Sequence, residues 1–370
     1  MINVLNQQDA TIQRLTNQSG SYLLIPTTYK EAIVSNNSAN WVGAINEEIE
    51  SMKMKEVFSS IPLKDALQKV PHESILSTRW IFTKKPERFK ARLVARGFCQ
   101  IHGINYDETF APTPTFNSLR LLFSTACMKG WDVKTFDVKV SFLHSLINKP
   151  VYVWPPMGLD VPKYNVLKLN KALYGTKQAS GCWWLHLRKS LQKIGFQSND
   201  EDPITYTLHQ GDDQAILWIH IDDGALTASS TDLLNKITQQ LNYFLKIKWD
   251  VKINGLVGIS IEETEQGFKF YQPELIDKLT NLTPSKITAK TPLLTNCQLE
   301  SNFSAGNMDK PFLKHIARFS LNTDQSHWNA LEHLIAYLHG TRDMGALIHK
   351  SNTSSEMRCF VDANWGGEGN

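Results

Sequence analysis

The sequence predicts an α+β protein whose middle carries a ferredoxin-like β-α-β-β-α-β unit. Strand-like runs and amphipathic helices follow one another in that order. The helices repeat apolar residues at i, i+3, i+4 and i+7, whereas the strands are short apolar runs bounded by turn residues. The composition is that of an ordinary globular chain, with 370 residues, 42% of them hydrophobic and 20% charged. That length allows a sizeable core without disulfide or metal staples.

Taken in order, residues 1–25 are polar and aperiodic, a loose leader. Asn40 is placed to cap a helix with Trp41, Ile45, Ile49 and Met52 on one face. Thr78 to Thr83 and Ala91 to Arg96 read as a β-hairpin across the basic connection Lys84-Lys85-Pro86-Glu87-Arg88. Asn117 is placed to cap a helix carrying Leu119, Leu122, Phe123 and Ala126, and Gly130 stops it. A strand from Asp132 to Val138 leads into the run Phe136 to Leu143. A second helix spans Ala179 to Ile194, with Trp183, Trp184, Leu187, Leu191 and Ile194 inward and Gly195 as its stop. Strands Ile204 to Leu208 and Ala215 to Ile221 flank the polar turn Gln210-Gly211-Asp212-Asp213, and Ala225 to Ala228 returns after Asp222-Asp223. A third helix shows Leu233, Ile237, Leu241 and Phe244 on one face, and strands follow at Leu256 to Glu262 and Phe268 to Tyr271. Residues 299–312 are linker-like, and a helix from Ser326 to His339 turns Trp328, Leu331, Ile335 and Leu338 inward.

Net charge is +3, which permits nucleic-acid binding without arguing for it, since only a localised basic patch does that. Five scattered cysteines in no C-x-x-C pair read as reduced thiols of an intracellular, cytoplasmic protein. Cys99 and His102 have ligand spacing but no second pair, so a zinc site is not expected. No apolar run reaches membrane-span length and no basic-then-apolar signal opens the chain, so no membrane partner is expected.

The chemistry-bearing candidates are acidic. Phosphoryl transfer by two metal ions needs carboxylates that hold hard divalent cations on a rigid support. Asp137 and the pair Asp222-Asp223 each end a hydrophobic strand, in elements that a split β-α-β-β-α-β unit makes neighbours. Adjacent strand residues face opposite ways, so both members of the pair reach one site only if the backbone turns, and Gly224 would permit that turn. Asp-Asp-Gly is also plain turn chemistry, so both readings stay open on these residues alone. Gly211-Asp212-Asp213 has polar flanks and follows no apolar strand; it reads as a surface turn. The basic residues Lys84, Lys85, Arg88, Lys90, Arg92 and Arg96 fit either phosphate contact or a solvated hairpin face.

The ordered motifs resemble the reverse transcriptase of copia-type LTR retrotransposons, over about residues 21–366. They are Trp41 to Glu50 (WVGAINEEIE), Arg79 to Phe82 (RWIF), Arg88 to Phe98 (RFKARLVARGF), Gly103 to Pro112 (GINYDETFAP) and Ser118 to Arg120. Phe136 to Leu143 (FDVKVSFL), Val151 to Gly158 (VYVWPPMG), Leu167 to Ala179 (LKLNKALYGTKQA), His220 to Asp223 and His327 to Thr341 complete them. The resemblance implies a right-hand polymerase with fingers, palm and thumb over residues 26–298 and the ferredoxin-like unit as palm. Residues 299–350 would hold a linker and partial connection, and residues 351–370 the first strand of an RNase H-like domain. It implies an RNA-directed DNA polymerase that extends a primer on an RNA or DNA template with dNTPs, using two Mg²⁺ (or Mn²⁺) ions. Other Pol and Gag products of the element are implied partners. Carried over by position, Asp137, Asp222 and Asp223 are the catalytic and metal-holding acids. Phe142 matches the gate that excludes a ribose 2′-OH. Lys90 and Arg92 match residues facing the triphosphate, while Tyr174, Gly175, Lys177 and Gln178 match the motif cradling nucleotide and template.

Several positions depart from that pattern. His220 stands where an aromatic or aliphatic residue is expected, and Gly224 where a large apolar one is. Thr176-Lys177-Gln178-Ala179-Ser180 replaces Leu-Lys-Gln-Ala-Pro, and the hairpin between Lys85 and Arg88 is short. A segment usual between Asp309 and Ser326 is missing, and Phe360 to Trp365 stands without the other acids of an RNase H site, so no RNase H activity is expected. Two readings follow: an active polymerase, or a catalytically inactive remnant that keeps the fold and at most binds nucleic acid.

Overall fold

A computed structural model describes residues 25–113, 115–199, 202–253, 255–281, 287–292 and 325–350. The chain opens with α1 (Tyr29–Val34), α2 (Ser38–Met54), β1 (Phe58–Pro62) and α3 (Leu63–Leu67), then the hairpin β2 (Thr78–Lys85) and β3 (Arg88–Ala95). Next come α4 (Phe116–Lys129), β4 (Val133–Val138), β5 (Tyr152–Val153), β6 (Asn165–Leu169) and α5 (Ala179–Ile194). Strands β7 (Gln197–Ser198), β8 (Thr205–Gln210), β9 (Asp213–His220) and β10 (Asp223–Ala228) lead to α6 (Thr231–Phe244) and β11 (Ile247–Trp249). The described part ends with β12 (Ser260–Thr264), β13 (Gly267–Tyr271), α7 (Pro273–Thr280), α8 (Gln325–Gly340) and β14 (Ala346–His349).

The central antiparallel sheet has the order β11-β4-β10-β9-β8-β7. Its first four strands, with α5 and α6, are the predicted β-α-β-β-α-β unit: β4-α5-β9-β10-α6-β11. Alternation along each strand gives the sheet two faces. On one, Phe136, Val138, Ile219 and Leu226 pack beneath Trp183, Leu187 and Leu191 of α5 and Ile237 and Leu241 of α6. On the other, Trp218 and Ala225 meet Leu119, Leu122 and Phe123 of α4 and Phe268 and Phe270 of β13. Each fully buried side chain of this size contributes about 1.5–3 kcal/mol, so both faces hold the sheet firmly. The β2–β3 hairpin packs on α2, where Trp41 meets Phe82 and Phe89 edge-on at 5.3 and 4.6 Å. Strand β14 joins β12–β13 as a third strand, and Arg342 clasps Asp277 of α7 through two N–H···O bonds of 2.5 and 2.6 Å.

Several boundaries differ from the sequence reading. The residue at the α2 cap position is Asn37, not Asn40, and its side chain makes no capping bond. Thr115 caps α4 by accepting from the Ser118 N–H, while Asn117 lies inside the first turn. In both helices the extra residues precede the apolar stripe, where periodicity carries no signal. The hairpin pairs as far as Lys85 with Arg88, leaving a two-residue turn at Pro86-Glu87. Trp184 and Phe244 are half-buried, and α8 buries His327, Ala330 and Ile335, with Trp328, Leu331 and Leu338 half-buried. The N-terminal leader up to residue 24, the segment between Asp309 and residue 324, and Phe360 to Trp365 lie outside the described residues. No helix among the described residues is long and apolar enough to cross a membrane.

Candidate active site at the turn between β9 and β10

The backbone turns one step earlier than the sequence suggests. Ile221 has φ +52° and, with Asp222, makes the turn between β9 and β10; Gly224 lies within β10. The role of Gly224 is spatial. It pairs with Phe136 of β4, and a Cβ there would run into the Phe136 ring, which is buried against Trp249 at 4.9 Å.

Asp223 is the first residue of β10 and pairs directly with Asp137 of β4, so the two side chains leave the same face of the sheet. Phe136 and Val138 on either side point under α5 and α6, which puts Asp137 on the opposite, solvent-reaching face. Asp222 sits on the turn itself. Its carbonyl accepts the Val138 N–H at 2.6 Å, tying the turn to the end of β4. Its carboxylate accepts from the hydroxyl of the fully buried Ser141. Asp223 accepts from the Val257 N–H at 3.4 Å.

Burial pushes the Asp222 carboxyl above its ordinary range; the Ser141 hydroxyl and Arg92 oppose this, and the charges of Asp137 and Asp223 add to it. Burial also raises Asp223, with Asp137 and Asp250 adding and the Val257 N–H and His220 opposing. Three carboxylates that repel one another in a half-buried place are a setting that a cation relieves. Among the described residues no three His, Cys, Asp or Glu side chains form a ready-made metal cage. Mg²⁺ does not need one: it takes one or two carboxylates and fills its shell with water and substrate phosphate oxygens. The all-oxygen set of Asp137, Asp222 and Asp223 fits that use.

Three β-branched residues with left-handed backbone surround these acids. Val140 (φ +53°) precedes Ser141, Ile221 (+52°) precedes Asp222, and Val257 (+51°) supplies the N–H to Asp223. Each conformation costs about 1–3 kcal/mol and is kept only where the surroundings impose it, a pattern concentrated at functional sites.

The other sequence candidates divide into two groups. Arg92 lies 5.5 Å over the Tyr174 ring, Tyr174 meets Phe142 edge-on at 5.0 Å, and both Arg92 and Tyr174 act electrostatically with Asp222. This chain of side chains runs from β3 to the turn after β4, beside the acids. Lys90 is on the same strand, its ammonium held low by burial and by Arg92 and Lys85. Gly175, Lys177 and Gln178 serve the framework. Gly175 (φ +87°) and Gly97 let their loops approach where a Cβ would strike the backbone, and Ala95 N–H bonds Tyr174 O at 2.8 Å. Lys177 is held by the Gln100 carbonyl at 3.3 Å and the Tyr106 hydroxyl at 3.1 Å. Gln178 is fully buried, accepting from Gln100 Nε2 at 2.9 Å and donating to Asn105 O at 2.8 Å. These bonds tie the loop after β3 to the start of α5. The sequence reading missed Ser141, Gln100 and Asn105, single polar residues outside any periodic pattern; buried polar groups need partners, but only the fold shows which. Gly211 (φ +64°) and Asp212 form an exposed hairpin turn, as expected.

A ferredoxin-like palm with acids at its central hairpin, fronted by a basic β-hairpin, defines the right-hand polymerase class. The family model agrees. Residues 66–295 match the family model described as reverse transcriptase (RNA-dependent DNA polymerase). The chain is 30% identical over 96% of its length to the Retrovirus-related Pol polyprotein from transposon RE2 of Arabidopsis thaliana. It is 26% identical over 95% of its length to that from transposon TNT 1-94 of Nicotiana tabacum. It spans 26% and 29% of those two proteins, about a quarter of each. A foamy viral protease-reverse transcriptase in complex with double-stranded DNA matches at TM-score 0.44 and 14% identity, over 82% of this chain and 48% of that one. The chain belongs to the reverse transcriptase family, and its relatives named here are retrotransposon Pol polyproteins.

Proposed function

We propose that the chain is an RNA-directed DNA polymerase that extends a primer on an RNA or DNA template with dNTPs. The observation that carries the reading is the pairing of Asp137 with Asp223, with Asp222 on the adjoining turn beside Arg92 and Tyr174. Asp137 and Asp222 would be the principal holders of two Mg²⁺ or Mn²⁺ ions, with Asp223 completing the set. When bound, such ions activate the primer 3′-hydroxyl and steady the leaving pyrophosphate. Ser141 fixes one oxygen of Asp222, so the carboxylate meets its ligand in one orientation. Arg92, held over Tyr174, offers a guanidinium to the triphosphate. Phe142, its ring braced by Tyr174, would be the gate that rejects a ribose 2′-hydroxyl.

The test is extension of oligo(dT) on poly(rA) with Mg²⁺ or Mn²⁺, comparing the wild type with Asp222→Asn. Extension lost in the variant supports the reading. No extension from folded wild-type protein overturns it in favour of a remnant that keeps only the fold and nucleic-acid binding.

A further inference from the structure

The side of the palm covered by α5 and α6 carries a run of basic side chains that the acidic centre does not use. Asp137 faces away from α5 and α6, so the two surfaces are separate. Neighbouring loops bring the first lysines together. Lys171, just after β6, donates its N–H to Val57 O at 3.2 Å, two residues past Lys55 at the end of α2. The Lys246 carbonyl accepts the Lys139 N–H at 2.9 Å, and the Lys139 carbonyl lies 3.2 Å from Nε2 of His144. Leu146, two residues on, bridges to Lys171.

Burial, then the like charges of Lys171 and Lys246, hold the Lys55 ammonium below its ordinary range. The His186 ring lies 6.4 Å from that of His144 and feels Lys193, Lys171 and Lys189, which carries the stripe onto the outer side of α5. There Lys193 sits 5.6 Å from the Phe244 ring, and the neighbouring Tyr243 is 84% exposed. Among the described residues no carboxylate forms an ion pair with these lysines, and Glu56, next to Lys55, makes none.

Gathering cations without counter-ions is unfavourable in the free protein, and a polyanion that displaces their mutual repulsion binds there readily. A run of lysines beside an exposed aromatic ring offers what single strands use, charges for phosphates and a ring for a base. We propose that this stripe is a second nucleic-acid contact, binding the phosphodiester backbone of a single strand on the side of the palm opposite the acids. An acidic peptide would use the lysines but gain nothing from Tyr243.

The experiment is a salt series of anisotropy titrations with labelled single-stranded oligo(rU), using the full chain. Replacing Lys55, Lys171 and Lys246 with serine should make the slope of log K against log salt shallower by about 2, and weaken binding roughly 100-fold at ~0.1 M salt. A second variant, Lys189→Ser with Lys193→Ser, sits on the exposed helix face where folding is not at risk; its slope should fall by about 1.4. Tyr243→Ala should weaken binding without changing the slope. Unchanged slopes in both lysine variants would overturn the proposal. So would displacement of the oligonucleotide by polyglutamate at equal charge concentration, which would assign the stripe to an acidic protein. Primer extension at saturating primer–template should be untouched in every variant, and because the readout is binding, an inactive wild type leaves this result standing.

Discussion

Gly224→Ala isolates what a departure from the family pattern does in this fold. Gly224 and Phe136 are register partners one step from the Asp223–Asp137 pair. A Cβ at Gly224 would overlap the tip of the Phe136 ring, which is 1% exposed and blocked by Trp249 at 4.9 Å. The ring cannot swing clear, so β4 and β10 must separate at the step beside the acids. Overpacking of this kind destabilises by about 1–3 kcal/mol. In a domain of this size that lowers Tm by roughly 2–12 °C. Extension should fall as well, because the carboxylate spacing is set by the strand pair being pushed. Phe136→Leu, which shortens the ring, should be destabilising alone but should restore part of the loss when combined with Gly224→Ala. A double-mutant cycle followed by chemical denaturation should therefore give a coupling of about 0.5–3 kcal/mol in the compensating direction. Additive single effects, or an unchanged midpoint in Gly224→Ala, would refute the steric account.

Three further outcomes are expected. Ser141→Ala leaves the half-buried Asp222 carboxylate without its hydroxyl donor, a loss of about 1–3 kcal/mol that should appear as a roughly 5–150-fold drop in single-nucleotide incorporation. Phe142→Ala removes the ring braced by Tyr174; incorporation of rNTPs relative to dNTPs should rise by about 10–100-fold in a competition assay. His144 is held down to about 4 from 6.5 by burial first and then by Lys55. Its unfolded form therefore binds the extra proton as pH falls from 6.5 to 4, so stability declines across that window and is unaffected above it. With its partial exposure discounted, the effect is about 1–2 kcal/mol, and His144→Gln should flatten denaturation midpoints over that range.

Where a residue's role is set by its neighbours in the chain, the sequence was a good guide. Helix α5 begins at Ala179 and stops at Gly195 (φ +105°) as its apolar spacing and glycine imply. The same reasoning dismissed Gly211-Asp212 and found Asp137 and Asp222-Asp223 at strand ends. It failed where long-range contacts decide. Gly224 reads as a turn residue, yet it is a strand residue whose side chain is excluded by Phe136, 88 positions earlier. The turn instead falls on Ile221, a β-branched residue that local propensity would never place at positive φ. The motif around Gln178 likewise gives no sign that its amide bonds Gln100 and Asn105, more than 70 residues away. Cap positions slipped for a local reason: Asn40 and Asn117 are good caps by type, while Asn37 and Thr115 precede the visible stripe.

The most direct test of the acidic centre is single-nucleotide incorporation measured against Mg²⁺ concentration for the wild type, Asp137→Asn, Asp222→Asn and Asp223→Asn. The account predicts saturable Mg²⁺ dependence in the wild type, loss of incorporation in Asp137→Asn and Asp222→Asn at every concentration, and a weaker but measurable rate in Asp223→Asn. Undiminished incorporation by either Asp137→Asn or Asp222→Asn would contradict it.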